Sequence, residues 1–385
     1  MLALTDELAL FGESVRRFAE AEIEPHLDGL CSGTVEAVPL LRDLAAAVGL
    51  GDGTEGTLAL SLAMDSTPPA QLAASFLLMK ELARTSAGMA LVLGGSMGLV
   101  GGGIAATGTR DQIERWVGPL QRLESVGAWC LTEPDAGSDA FGAMRTRAVT
   151  NGESFVVKGS KTYISNAPLA DVFLVYAKVT GGPDDGEVRA FVLDRDVPGV
   201  STGPALAKMG AEESPISEVF LDDVPAGPDR LLGGPGAVGR EAVKRAMSEE
   251  RGALPAIALG IAERAYDIAL THARQREQFG RPIGQFQAVQ LRLARMAIAV
   301  ENCRHWVDRL VTGPRTPALA CLAKAYTAEA AVDVASGAMH VLGGLGYLRD
   351  GRVEKLARDA RILEVGAGTT DINLLTAARS DLGFA

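Results

Sequence analysis

The hydrophobic repeat of this 385-residue chain changes period twice, and that alternation restricts its fold more than any single motif. In the first third, Leu8, Leu10, Phe11, Val15 and Phe18 recur at helical spacing with charges between them, and Pro25 breaks the pattern. Residues 39–48, 70–84, 87–106 and 111–120 read as further helices, with a loop at 49–56. The 87–106 stretch holds Gly94, Gly95, Gly98, Gly101, Gly102 and Gly103, so packing rather than propensity must keep it helical. From 126 to 235 the pattern turns β-rich. Short runs at 155–157, 172–176, 189–193 and 218–221 are closed by Asn151-Gly152, the 181–186 turn and Pro198-Gly199. Helical period then returns at 241–275, 286–311 and 317–341, broken by Gly313-Pro314 and the glycines of 343–346. Short connections between long helices make antiparallel bundle neighbours.

These periods predict a mainly α protein with a central β domain. Residues 1–125 form an N-terminal helical domain, 126–235 an antiparallel middle domain, and 236–385 a C-terminal helical bundle. A net charge of −11 argues against nucleic acid as a partner. No uninterrupted apolar run of membrane length stands between flanking charges, and MLALTDELALFGESVRRF carries acids at once, unlike a signal peptide. A cytoplasmic protein without a membrane partner is expected. Cys31, Cys130, Cys303 and Cys321 are scattered and read as reduced thiols. The four His (His26, His272, His305, His340) lack metal-ligand spacing, so no metal centre is expected.

Two short segments in the middle third carry chemistry. Residues 129–139 read W-C-L-T-E-P-D-A-G-S-D: an apolar run followed by a turn rich in backbone and hydroxyl donors. Pro134 stiffens the turn and Gly137 permits positive φ. The hydroxyls of Thr132 and Ser138 could then face a polar, planar or anionic ligand. Farther on, 158–166 reads K-G-S-K-T-Y-I-S-N. Either segment alone is an ordinary loop or strand. Together they resemble the flavin-binding core of the acyl-CoA dehydrogenase family, in which a TEP-x-AGSD segment precedes G-x-K-x-W/Y-I-S/T-N.

The resemblance implies a helix–sheet–helix fold with a β-barrel-like middle domain and a C-terminal four-helix bundle. It also implies FAD as cofactor and α,β-dehydrogenation of a saturated acyl thioester, with hydride passing to flavin N5. On this reading Leu131 and Thr132 meet the pyrimidine edge of the isoalloxazine, and Ser138 lies in the same turn. Tyr163 replaces the commoner Trp beside the ring, and Ser165 supplies the hydroxyl near N5. Residues 274–283, R-Q-R-E-Q-F-G-R-P-I, match the family's R-x-x-FG-x-x-I segment. There Arg276 pairs with the pyrophosphate, Phe279 packs on adenine, usually in a neighbouring subunit, and Gln287 continues the pattern. Arginine suits a diphosphate because its fork makes bidentate, charge-assisted bonds. His340 stands where glutamine is usual, ahead of Gly343 and Gly344, whose backbone would approach the pyrophosphate. Thr369 and Asp371, in the final motif, complete the cofactor contacts.

The base departs from the commonest pattern. Residues 358–372 match the family's R-D-A-x-I-x-E-x-Y-E-G-T-x-x-I end, but aligned on Gly368-Thr369 the usual glutamate falls on Ala367. A methyl cannot take a proton. The backbone N–H at 367 remains, and in the family it helps polarise the thioester carbonyl. A minority of members, of isovaleryl, long-chain or carrier-bound prolyl type, place the base in an E-R pair on a C-terminal-domain helix. Here that pair is Glu250-Arg251, with Ser248 and Arg251 as substrate contacts. Glu249 lies about 100° around the helix from Glu250, so the two cannot share one site. Burial would raise the carboxyl pKa toward neutrality. Glu364 is the other candidate.

Family likeness further implies an acyl-CoA or acyl-carrier-protein substrate, a homotetramer (or a hetero-oligomer), and an electron-transferring flavoprotein as acceptor. Two alternatives stand beside the dehydrogenase. One is a non-catalytic flavin-binding subunit of a heteromeric dehydrogenase, suggested by Ala367; the other is an oxygen-using, oxidase-like member. Near 50–60 the family carries a PEEYGG-like segment. This chain has GLGDGTEGTLALSL at 49–62 instead, which leaves the substrate-side wall undefined there.

Overall fold

The computed structural model describes residues 5–51, 53, 58–62, 67–237 and 239–383. Residues 52 and 54–57 of the 49–62 segment, and with them the question of the substrate-side wall, lie outside the described residues.

Among the described residues, seven α-helices open the chain: α1 (Asp6–Phe18), α2 (Leu27–Ser32), α3 (Ala37–Ala47), α4 (Pro69–Ala83), α5 (Ala87–Leu93), α6 (Gly102–Thr107) and α7 (Arg110–Gln121). Local chemistry sets several ends. Thr5 accepts from the Leu8 N–H to cap α1, which has Asp6 and Glu7 in its first turn and Arg16 and Arg17 in its last. Thr109 and Gln112 form a reciprocal capping box on α7. The single helix expected at 87–106 is instead three segments, because Gly94–Gly101 widens into a π-helical stretch between α5 and α6. Close packing goes with it: a Cβ on Gly98 would come within 2.3 Å of Leu62. The continuous helical run Ala87–Thr107 is long and apolar enough to cross a membrane, yet most of it is buried against the rest of the protein.

The middle domain is one curled sheet of β1 (Gly127–Cys130), β2 (Arg147–Asn151), β3 (Ser154–Ser165), β4 (Val172–Thr180), β5 (Val188–Asp194), β6 (Val200–Thr202) and β7 (Ile216–Ala226). Strand order is β1-β4-β2-β3-β7-β6, with β5 also paired to β4. Most pairings are antiparallel as expected, but β4 runs parallel to both β1 and β2. The cause is geometric. β1 pairs with 172–175 and β2 with 178–180, so the two strands line up along one β4 edge and residues 131–146 loop out between them. Register shifts between Val157 and Gly159 and between Lys161 and Ile164 bend β3 against β7.

The last third holds α8 (Arg240–Gln275), a two-residue-strand hairpin of β8 (Glu277–Gln278) and β9 (Arg281–Pro282), α9 (Gln287–Thr312), α10 (Pro317–Leu342), α11 (Val353–Val365) and α12 (Thr370–Asp381). α10 packs on α8, α9 and α11 as the centre of the expected bundle, and α12 is a fifth helix against it. α8 also packs on α4, so one apolar core runs through both helical domains. The sheet has its own core around Phe173, Val175 and Phe191, and a third cluster joins its outer face to α6 and α7.

Candidate active site

The 131–146 loop is fixed from beneath by a buried ion pair. Lys161, with no exposed surface, donates to the Glu133 carboxylate at 2.9 Å and to the Leu131 carbonyl at 3.1 Å. Glu133 also accepts from the Arg145 and Thr146 N–H groups at 2.6 and 3.0 Å. Burial pushes the Glu133 carboxyl up, but Lys161 and these donors outweigh it and hold the group below the usual carboxylate range. The Thr162 N–H bonds the Thr132 carbonyl at 2.9 Å, tying the two motif segments together. Alternation along β3 then buries Thr162 and Ile164 and exposes Tyr163 and Ser165 on one side. Tyr163 is 66% exposed at φ 56°, a strained conformation for a bulky residue. Asn166, buried, donates to the carbonyls of Val92 and Gly127 and so locks β3 to the N-terminal helices.

The second half of the site joins α8, α10 and the 366–369 turn. Arg251, buried, donates through Nε to the Ala367 carbonyl at 3.1 Å and through Nη1 to Cys321 Sγ at 3.7 Å. Lys324 donates to the Gly368 carbonyl at 2.7 Å, and Asn373 to the Gly368 and Thr369 carbonyls at 2.9 and 3.0 Å. Thr369 caps α12 by accepting from Ile372. With its carbonyls taken, the turn holds Ala367 at φ 54°, and the Ala367 N–H bonds no described residue.

Glu250, next to Arg251 on α8, is half-buried, and its carboxyl has no hydrogen-bond or ion-pair partner among the described residues. Burial pushes it up to about 7, against the pull of Arg251 and Lys324. Glu364 is differently placed: it pairs with Arg361 at 2.8 Å. Glu249 turns away from Glu250 and lines a cavity of 260 Å³ between α8, α6, β4 and β5, with Ala246, Val243, Gly103 and Tyr176 among its walls. Tyr176, buried on β4, accepts from Trp129 Nε1 at 2.9 Å and feels the charges of both Glu249 and Glu250. This contact brings the end of β1, and hence Leu131 and Thr132, toward the α8 carboxylates.

The remaining expected residues lie at the surface. Arg276 ends α8, and Phe279 tips the β8–β9 hairpin at φ 52° with 93% of its surface exposed. Gln287 opens α9. His340 is exposed, and among the described residues its side chain bonds the Ser336 carbonyl on its own helix and nothing else. A Cβ on Gly343 or Gly344 would meet nothing within 4 Å, so both present bare backbone to open space. Ser138 and Asp371 are exposed and Ser248 is half-buried. No hydrogen bond or ion pair among the described residues links this outer group to Glu250 and Ala367.

Sequence reasoning passed over Lys161, Glu133, Asn166, Lys324, Asn373 and Tyr176. For Glu133, Lys161 and Asn166 the signal was present, since all three stand inside the two motifs. Lys324 had a fainter one: a lone cation on an alanine-rich face of α10.

Comparison with known proteins gives a consistent result. Residues 5–124, 128–224 and 238–382 match the family models for the N-terminal, middle and C-terminal domains of acyl-CoA dehydrogenase. A 3-(aryl)acrylate reductase from Clostridium sporogenes is 31% identical over 382 residues, covering 97% of this chain and 98% of that protein. The mitochondrial short-chain specific acyl-CoA dehydrogenase of Bos taurus is 34% identical over 304 residues, covering 78% and 73%. Among solved structures, butyryl-CoA dehydrogenase from Megasphaera elsdenii superposes with a TM-score of 0.88 at 29% identity, covering 99% and 100%.

Proposed function

The chain belongs to the acyl-CoA dehydrogenase family, and from that premise we propose that it oxidises a saturated acyl thioester at Cα–Cβ with Glu250 as the α-proton base. The family membership makes it an FAD-binding oxidoreductase of acyl-CoA dehydrogenase type. The residues present suit FAD. Tyr163 offers an exposed aromatic face with Ser165 exposed two residues on, Arg276 a guanidinium that is unpaired among the described residues, and Gly343 and Gly344 bare backbone for a diphosphate. FAD, when bound there, supplies the hydride acceptor.

The observation that carries the reading is Glu250 itself: an unpartnered carboxyl, held up to about 7, on the helix whose next residue anchors the Ala367 turn. A carboxylate near neutrality can accept an α-proton and still be reset by solvent. The unbonded Ala367 N–H is a donor for the thioester oxygen, whose negative charge grows as the α-carbon loses its proton. Arg251 and Lys324 fix the turn that carries this donor. The same residues serve the reverse reaction, with Glu250 then delivering the proton; the 3-(aryl)acrylate reductase relative is named for such a direction.

CoA and a carrier protein remain the two thioester carriers, and an electron-transferring flavoprotein is the acceptor we assign. We assign a homotetramer with FAD between subunits. Its support is the fully extruded Phe279 and the exposed Leu291 and Ile298 of α9 and Leu374 and Leu375 of α12, all costly to leave in water. The test is anaerobic: a panel of saturated acyl-CoAs is added to the FAD-loaded protein and to Glu250→Gln while the flavin's visible absorbance is followed. Bleaching in the parent and its loss in the variant is the expected result. Bleaching in both would remove Glu250 as base. No bleaching in the parent, despite bound FAD, would favour a carrier-protein substrate or a non-catalytic subunit, and peroxide formed during aerobic turnover would mark an oxidase.

A further inference from the structure

Lys324 is a buried cation whose part in the reaction outlined above goes no further than a hydrogen bond to the final turn. Its side chain has no exposed surface, and no carboxylate lies within ion-pair distance among the described residues. Its one side-chain hydrogen bond among the described residues runs to the Gly368 carbonyl, the residue after the Ala367 N–H donor. A buried ammonium without an ion pair is costly to keep, and an alanine-rich helix such as α10 could have held a leucine there.

We propose that Lys324 is a positioning residue for this site: it holds the Ala367–Gly368 turn in place and is the counter-charge that faces Glu250 from α10. The inference rests on the Glu250 assignment made above and adds to it a control that acts from another helix. Two observations converge on it. The hydrogen bond pins the far side of the turn that carries the Ala367 N–H: the Gly368 carbonyl stands one peptide group beyond it, and the peptide between them has its carbonyl held by Arg251. The electrostatics are reciprocal: burial pulls the Lys324 ammonium down to about 8, with Glu250 the largest influence opposing it, while Lys324 lowers Glu250. The other charged or titratable groups around the pair are Arg251 and Glu249 on α8, Cys321 on α10, Glu364 on α11 and Tyr176 on β4. Arg251 already bonds Ala367 and Cys321, and Glu364 is paired with Arg361. Lys324 is therefore the cation whose removal leaves Glu250 with only its own neighbour for compensation.

The test reads Glu250 without substrate. Infrared difference titration against the matching Glu250→Gln protein reports protonation of the Glu250 carboxyl in the FAD-loaded parent, Lys324→Met and Lys324→Arg. Lys324→Met should move the midpoint upward by about one unit or more, and Lys324→Arg should bring it back toward the parent. In the same proteins the carbonyl stretch of a bound, isotopically labelled enoyl-CoA should lose polarisation in Lys324→Met and recover it in Lys324→Arg. A folded Lys324→Met with an unchanged Glu250 midpoint overturns the proposal. Should Lys324→Met not fold, the coupling is read from its other side by nitrogen-detected titration of Lys324. Glu250→Gln must then lower the ammonium midpoint, and an unchanged midpoint overturns the proposal. These readouts are independent of turnover: full activity in Glu250→Gln would end the base assignment yet leave the Lys324–Glu250 coupling to be measured.

Discussion

The Arg251 guanidinium donates to the Ala367 carbonyl at 3.1 Å, joining two residues 116 positions apart and making the middle of α8 the support of the final turn. Nε takes Ala367 while Nη1 reaches Cys321, so the side chain uses the spread of its fork. A lysine has one ammonium and cannot span both partners. Arg251→Lys should therefore shift the Ala367 N–H and lower the rate of flavin reduction by about 100-fold, the order expected for losing one oxyanion donor. Rapid-mixing measurement of flavin bleaching checks this, with Cys321→Ala as a control that should change the rate much less.

Glu250 should also leave a mark on stability. Its carboxyl titrates near 7 in the folded protein and near 4.5 in an unfolded chain, so the native state binds the extra proton between those values. The stabilisation is present below about 4.5 and is lost as pH rises through about 7. The full shift corresponds to an upper limit of about 3 kcal/mol, and solvent access to a half-buried group reduces this to roughly 1–2 kcal/mol. Glu250→Gln should thus gain stability relative to the parent on going from about pH 5 to about pH 8. Urea unfolding of both proteins at the two pH values measures the difference. A constant difference would mean that Glu250 is not held near neutrality.

Periodicity made most elements legible, because amphipathic helices and half-buried strands must repeat at 3.6 and 2 residues to hide one face. It could not reveal the π-helical Gly94–Gly101, since glycines carry no side-chain pattern to read. Nor could it reveal that β1 and β2 share one edge of β4, because strand pairing is decided by partners far along the chain. In the site, Glu250 stood out through the arginine beside it and Phe279 through the Phe-Gly of the 274–283 segment. Lys324 did not, as a single lysine in an alanine-rich helix reads as a solvated position until its burial is seen.

The Lys161–Glu133 pair yields a prediction about folding and cofactor together. Lys161→Met leaves Glu133 buried without its cation, which should cost about 3–5 kcal/mol. Because both residues anchor the 131–146 loop, the variant should also lose FAD on gel filtration. Glu133→Gln added to Lys161→Met removes the stranded charge, and most of the stability should return while the loop stays less well held. Denaturant unfolding and the flavin-to-protein absorbance ratio separate the two effects.

The last prediction moves the base. Ala367 sits on the turn that Arg251 and Lys324 grip, so a carboxylate at 367 would enter the same positive surroundings that Glu250 now faces. Ala367 already pays for its left-handed backbone at φ 54°, and a glutamate there has the same backbone cost of about 1 kcal/mol, so Ala367→Glu should fold. With Glu250 still present, two carboxylates would compete for one cationic site and one of them would hold its proton at neutral pH. Ala367→Glu alone should therefore shift the acid limb of the pH–rate profile upward and slow flavin reduction near pH 7. Glu250→Ala alone should lose about 100- to 10,000-fold, the usual worth of a general base. Combining the two removes the repulsion and restores a carboxylate, so the double variant should recover at least about tenfold over Glu250→Ala. Recovery in the double variant, with loss in each single, is a non-additive result that only a shared proton-accepting role explains. If the double variant is as inactive as Glu250→Ala, a carboxylate at 367 does not reach the α-proton in this protein, and the helix is the position from which the base can act.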